Sequence, residues 1–298
     1  KDHTGKLENM NLNLSGSFYQ YGSASNYTPG ESSVLHINGS DTQPVSHVYM
    51  ENTQTCWMST LYAHRQVILD QEIPFRGNVY GNINGVGRYT QDTLAYVGMS
   101  GMQIHLAGDI VLNHDIVVNN CPVIIDGSVD LNGHRLSCRN LTIPDGSEGH
   151  IILNQEESKL NVYGDFYTGS IYACDCMTEG MIAFYGDVTQ KNLGTADNLK
   201  TGEGVSVRLQ GSNRIQNISF DSMESELFSV EVNNGTDGYV RFLTDVNIRN
   251  LTNTSQTILH EMQGVTGYTL DKDTVIEGDF CLASGTMDLN GYTLTVEG

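Results

Sequence analysis

Basic residues are scarce in this chain: 15 Lys and Arg stand against 35 Asp and Glu, a formal net charge of -20 at pH 7. Proteins hold a nucleic-acid backbone by neutralising its phosphates with Lys and Arg, so that deficit excludes nucleic acid as a partner class. Docking on anionic lipid is excluded for the same reason. Proline is rare, at 5, and tryptophan occurs once, as Trp57. No apolar run approaches the roughly 20 residues a spanning helix needs, so this segment is not expected to insert in a membrane. No apolar leader stands at the N-terminus either. Six cysteines (Cys56, Cys121, Cys138, Cys174, Cys176 and Cys281) are too few to build a scaffold of 298 residues. Cys174 and Cys176 would share one face of a strand, which disfavours a bond between them. Buried thiols acting as small apolar residues are the favoured reading, and one or two disulfides between neighbouring strands the alternative.

What is abundant is glycine, at 32, with many Asn, Ser and Thr. That mixture suits short strands joined by tight polar turns. One phrase occurs twice: Asp130 to Leu136 read DLNGHRL, and Asp288 to Leu294 read DLNGYTL. The match continues upstream at the same offset of 158, where Leu112, Asp115, Val117 and Gly127 align with Leu270, Asp273, Val275 and Gly285. A repeated strand-turn-strand unit points to stacked β architecture.

Period-two alternation is clearest from Met102 to Val118, with Ile104, Leu106, Ile110, Leu112, Ile116 and Val118 on the apolar side. Strand candidates recur every 8–12 residues or so, the spacing of all-β folds. They include Met181 to Tyr185, Val205 to Leu209, Ile215 to Phe220, Leu227 to Val232, Tyr239 to Leu243 and Val246 to Ile248. Thr53 to Asp70 is the best helix candidate, through Trp57, Leu61 and Ala63, although its Val67-Ile68-Leu69 run reads equally as strand. Gly77 to Gly87 reads as turn material. Two regions are distinguished: 1–100, irregular and β-rich, a cap or a head, and 101–298, a solenoid array less regular over 171–262. The chain opens at Lys1 and closes on Gly298 just after a repeat phrase, which suggests a piece of a longer or processed protein.

Asn-Gly is the strongest signal for a two-residue turn, because both positions of a type I′ turn take positive φ. The phrase fits two geometries. As a hairpin it would place Val129, Leu131, Leu136 and Cys138 inside an antiparallel β-sandwich. As a corner it would bend the chain from one face of a parallel β-solenoid (β-helix) to the next, with roughly 20–25 residues per turn and about a dozen rungs. The all-β class is common to both, and the solenoid is preferred. The template over Thr269 to Gly298 resembles repeats of large secreted bacterial surface proteins, adhesin-like and of the parallel β-helix type. The close resemblance covers about 30 residues, with a looser copy at 112–140 that has His134-Arg135 where the other has Tyr292-Thr293. It implies a parallel β-helix at the cell surface.

Catalytic phrases are missing. There is no H-E-x-x-H, G-x-S-x-G, phosphate-cradling loop or EF-hand pattern. Gly149-His150-Ile151 shares only its first two residues with the Gly-His-Gly phrase of pectin hydrolases, and His260-Glu261 is an isolated pair. No catalytic or cofactor-binding residue is assigned. Asp126, Asp130 and Asp288 are weak candidates for a metal, with Ca2+ the one cofactor considered, although such Asp residues more often cap turns. The expected function is a non-enzymatic extracellular segment of a surface protein or fibre, structural or adhesive. Its partner would be a host or cell-surface glycan or protein, or further copies of the chain. A carbohydrate-active β-helix enzyme, lyase or hydrolase, and a lectin-like glycan-binding module are the alternatives.

Overall fold

A computed structural model describes residues 6–7, 10–22, 27–91, 94, 101–173, 175–234, 239–244, 246–253, 258–270 and 273–297. It is a parallel β-solenoid of about 11 turns, with no helix among the described residues. Each regular turn contributes three short strands, and each strand pairs in parallel with its counterpart one turn away. One turn runs through Ile104, Ile110 and Ile116, and the next through Val123, Val129 and Leu136.

The alternating apolar residues form columns that run through the array. Ile116, Leu136, Leu160, Ile182, Val207 and Val230 stand in register on successive turns, each at most 1 % exposed. A second column on the same face runs through Val118, Cys138, Val162, Phe184, Leu209 and Val232. The pleat sends every other side chain inward, so period two in the sequence becomes a continuous core. Each column residue is covered above and below by its neighbours, which is why these positions are nearly dry.

The hairpin alternative is overturned, since the strands flanking each Asn-Gly make only parallel pairs: those about the first pair with other turns, and Leu294–Val296 pairs in parallel with the start of Thr274–Asp288, one turn back. The helix expected over Thr53 to Asp70 is also wrong: Thr60–Leu69 is a strand. Its inward residues Leu61 and Ala63 belong to one face and Val67 and Leu69 to the next. The phase break at His64-Arg65 between them mimics helical spacing. Gly77 to Gly87, read as turn, lies largely in the strand Val79–Tyr89. Gly81 shows why glycine is needed there. Its φ is +100°, and a Cβ would sit 1.9 Å from the carbonyl oxygen of Ala63 on the adjacent turn. Parallel pairing continues from Val79–Tyr89 into Gly101–Leu106, so turns within residues 1–100 stack directly on those that follow.

Turn length varies along the array. Val123 to Leu141 spans 18 residues, whereas Val188 to Ile218 spans 30. The longer corners bring polar backbone inside, and buried amides satisfy it. Gln190 donates to the Asn198 side-chain oxygen at 2.9 Å, and Asn198 donates to the carbonyls of Ser170 at 2.6 Å and Lys191 at 2.8 Å.

Candidate functional site

The twin phrases fold into the same corner, bond for bond. Asn132 and Gly133 have φ of 45° and 81°, and Asn290 and Gly291 have 46° and 82°. His134 N–H donates to Leu131 O at 2.7 Å, as Tyr292 N–H does to Leu289 O, closing a type I′ turn in each. Asp130 accepts the Asn132 amide at 2.9 Å, and Asp288 accepts that of Asn290 at 2.9 Å. The side-chain amides of Asn132 and Asn290 reach back one turn to the carbonyls of Leu112 and Leu270, at 3.0 and 3.3 Å. Asp115 and Asp273, also one turn earlier, accept the amides of Arg135 and Thr293 at 3.0 and 2.8 Å. The Asp and Asn side chains shared by the two copies therefore all serve the corner.

The two corners occupy different edges. The strand before the first, Ser128–Asp130, pairs with Ile110–Val111 and with His150–Val162. The strand before the second ends on the face that carries Leu251 and Tyr268, which is the face that follows the first corner. The phrase encodes a corner as such and can be used at more than one edge of the rod.

The candidate metal positions do not converge. Asp130 and Asp288 cap turns at opposite ends of the array from the first corner onward, and Asp126 is exposed near His105, 3.8 Å from its Nε2. Among the described residues, no group of three or more His, Cys, Asp or Glu could hold an ion. Cys56, Cys121 and Cys138 are buried free thiols, in keeping with their apolar reading. Burial, and secondarily Cys121, pushes the Cys138 thiol far above its ordinary range. Cys176 is disulfide-bonded; Cys174 lies outside the described residues, and so does the side chain of Cys281. The side chains of His260 and Glu261 are likewise outside them.

Outward-facing rings form short ladders from turn to turn. Tyr62 stacks on Tyr80 at 4.2 Å and on His36 at 4.8 Å, and His36 Nδ1 lies 3.1 Å from His64 Nε2. Burial and the neighbouring His64 both lower the pKa of His36. His150 stacks on Tyr172 at 3.8 Å with the rings nearly parallel.

A concavity with two arginines in its lining lies beside Trp57. A cleft of about 130 Å³ is lined by Thr53, Gln54, Trp57, Arg76, Arg88 and Thr90, with Cys56 and Phe75 beneath. Parallel pairing builds its floor: Met58 N–H donates to Pro74 O at 2.7 Å, Phe75 N–H to Arg88 O at 2.8 Å, and Arg76 N–H to Met58 O at 2.8 Å. Three successive turns thereby bring residues 57, 76 and 88 together. The Arg76 guanidinium sits over the Trp57 ring, 4.7 Å from its centroid. The tryptophan is conspicuous in the sequence, but neither arginine carries a local signal, because only pairing across turns unites them. No protein-family model, curated protein or solved structure matches this chain.

Proposed function

We propose that this chain is a non-enzymatic, extracellular structural or adhesive segment of a larger bacterial surface protein. The observation that carries this reading is that the strand backbone and several outward side chains are committed to neighbouring turns. Strand hydrogen bonds run from turn to turn, Asp115 and Asn132 tie corner to corner, and Tyr62 and Tyr80 cover one another's faces. Such a molecule is a stiff spacer whose contacts are nearest-neighbour. The resemblance of Thr269 to Gly298 to repeats of secreted surface proteins supports the location, and the charge of -20 suits a solvated exterior.

The test has two parts. Small-angle scattering should give an elongated particle of about 50 Å along the stacking axis, from about 11 turns at about 4.8 Å each. Incubation with a panel of acidic and neutral polysaccharides should release neither new reducing ends nor unsaturated sugars. Turnover of any member would replace this reading with the enzyme alternative.

A further inference from the structure

We infer that the cleft beside Trp57 binds a carboxylated sugar unit of a glycan, a uronate, through Arg76 and Arg88. The inference rests on the adhesive part of the proposed function and names its ligand class.

The argument begins with charge. With acids outnumbering bases by more than two to one, a cation should find a carboxylate easily. Most do: Arg65, Arg135, Arg208, Arg214 and Arg249 each meet an Asp or Glu within 3.2 Å. Arg76 and Arg88 meet none among the described residues, yet both line one cleft. Two arginines lining one cleft, with no acid among its described lining residues, in a molecule whose overall field repels anions, form a local anion site. Arg88 is partly buried, so a bound anion is shielded there from full solvent screening.

The shape selects the anion. Guanidinium forks match a planar carboxylate with paired N–H donors. Thr53, Gln54, Thr55 and Thr90 supply hydroxyl and amide groups suited to ring hydroxyls, and the indole edge gives an apolar side. The space accommodates a carboxylate and part of the ring that bears it, well short of a drug-sized ligand. Inorganic sulfate would satisfy the arginines but leave the threonines and the indole unused.

Trp57 is the sole tryptophan, so its fluorescence reports this cleft and nothing else. Titration of the whole chain with D-galacturonate should change that emission saturably. D-galactose and the galacturonate methyl ester, which lack the charge, should bind at least about tenfold more weakly, as should inorganic sulfate, which lacks the ring. Arg88→Gln, checked for folding by circular dichroism, should weaken galacturonate binding by about tenfold or more. The ester comparison uses the unaltered protein and holds even where the variant fails to fold. No saturable change with galacturonate, equal binding of the methyl ester or of sulfate, or unchanged binding by folded Arg88→Gln would each overturn the inference. An elongated, non-hydrolysing particle without galacturonate binding would remove this site and leave the scaffold reading standing. Galacturonate binding followed by cleavage of a uronate polymer would keep the site and remove the scaffold reading.

Discussion

Gly81 and Cys138 show how closely the turns constrain single side chains. At Gly81 a methyl group has nowhere to go, because the atom it would strike is backbone on the preceding turn and φ lies in the region L residues avoid. Gly81→Ala is expected to cost at least about 2 kcal/mol in a denaturant titration, with the transition midpoint falling accordingly. Cys138 acts through protonation. Its thiol is neutral in the fold, while an unfolded thiol ionises near its ordinary value of 9.0. Burial raises Tyr89 likewise, and burial followed by Cys56 raises Tyr27 to about 12. A raised folded pKa means stability that is complete below the unfolded value and drains away as pH climbs past it. Stability should therefore be level up to about pH 8 and fall progressively above pH 9. Cys138→Val, which places at that site the residue found at the aligned position Val296, should flatten the first part of that fall in urea melts taken from pH 8 to 11.

The corner built on the DLNG phrase is a complete structural unit, and its chemistry was readable in advance. Asn-Gly predicts positive φ at two successive residues, and both copies have it. The role of Asp as a turn cap was readable as well, since a carboxylate two residues before an amide is placed to accept from it. The reach of Asn132 to Leu112 was not, because that contact crosses 20 residues. Asn132→Ala removes that bond and places a Cβ-bearing residue without local compensation at φ 45°, for an expected loss of about 1–2 kcal/mol. Asn132→Gly should recover the backbone part of the loss and not the hydrogen bond, a difference that thermal melts of the two variants would resolve. Strands were legible where alternation is unbroken: Ile215 to Phe220 was read to the residue. They were misread where a corner interrupts the phase, as at His64-Arg65, or where glycines let turns approach, as from Gly77 to Gly87.

Across the molecule, the same residue is worth different amounts on different turns. Leu131, in the first corner, is 0 % exposed between turns, while its twin Leu289, on the last described turn, is 44 % exposed. Sequence and local geometry are matched, so the two leucines differ only in the edge they occupy and in the turns that cover them. Leu131→Ala should cost about 2–5 kcal/mol and Leu289→Ala under about 1 kcal/mol. Equal losses in denaturant titrations would mean that stability is not set by nearest-neighbour turns. The cleft belongs to this level too. Trp57, Arg76 and Arg88 become neighbours only because Met58 pairs with Phe75 and Pro74 with Arg88.

By itself the sequence determined the all-β character, most of the strands, and the shape and bonding of the repeated corner. Each of these depends on residues a few positions apart, through pleat, φ preference and the short reach of an Asp side chain. The preference for a parallel solenoid over a sandwich, drawn from the resemblance, holds in the structure, and tertiary structure alone decided which edge each corner occupies and which two arginines share a cleft. Those outcomes depend on the register between strands on successive turns, 14 to 30 residues apart along the chain. Such a register is fixed by how whole columns of side chains pack, and no local pattern encodes it.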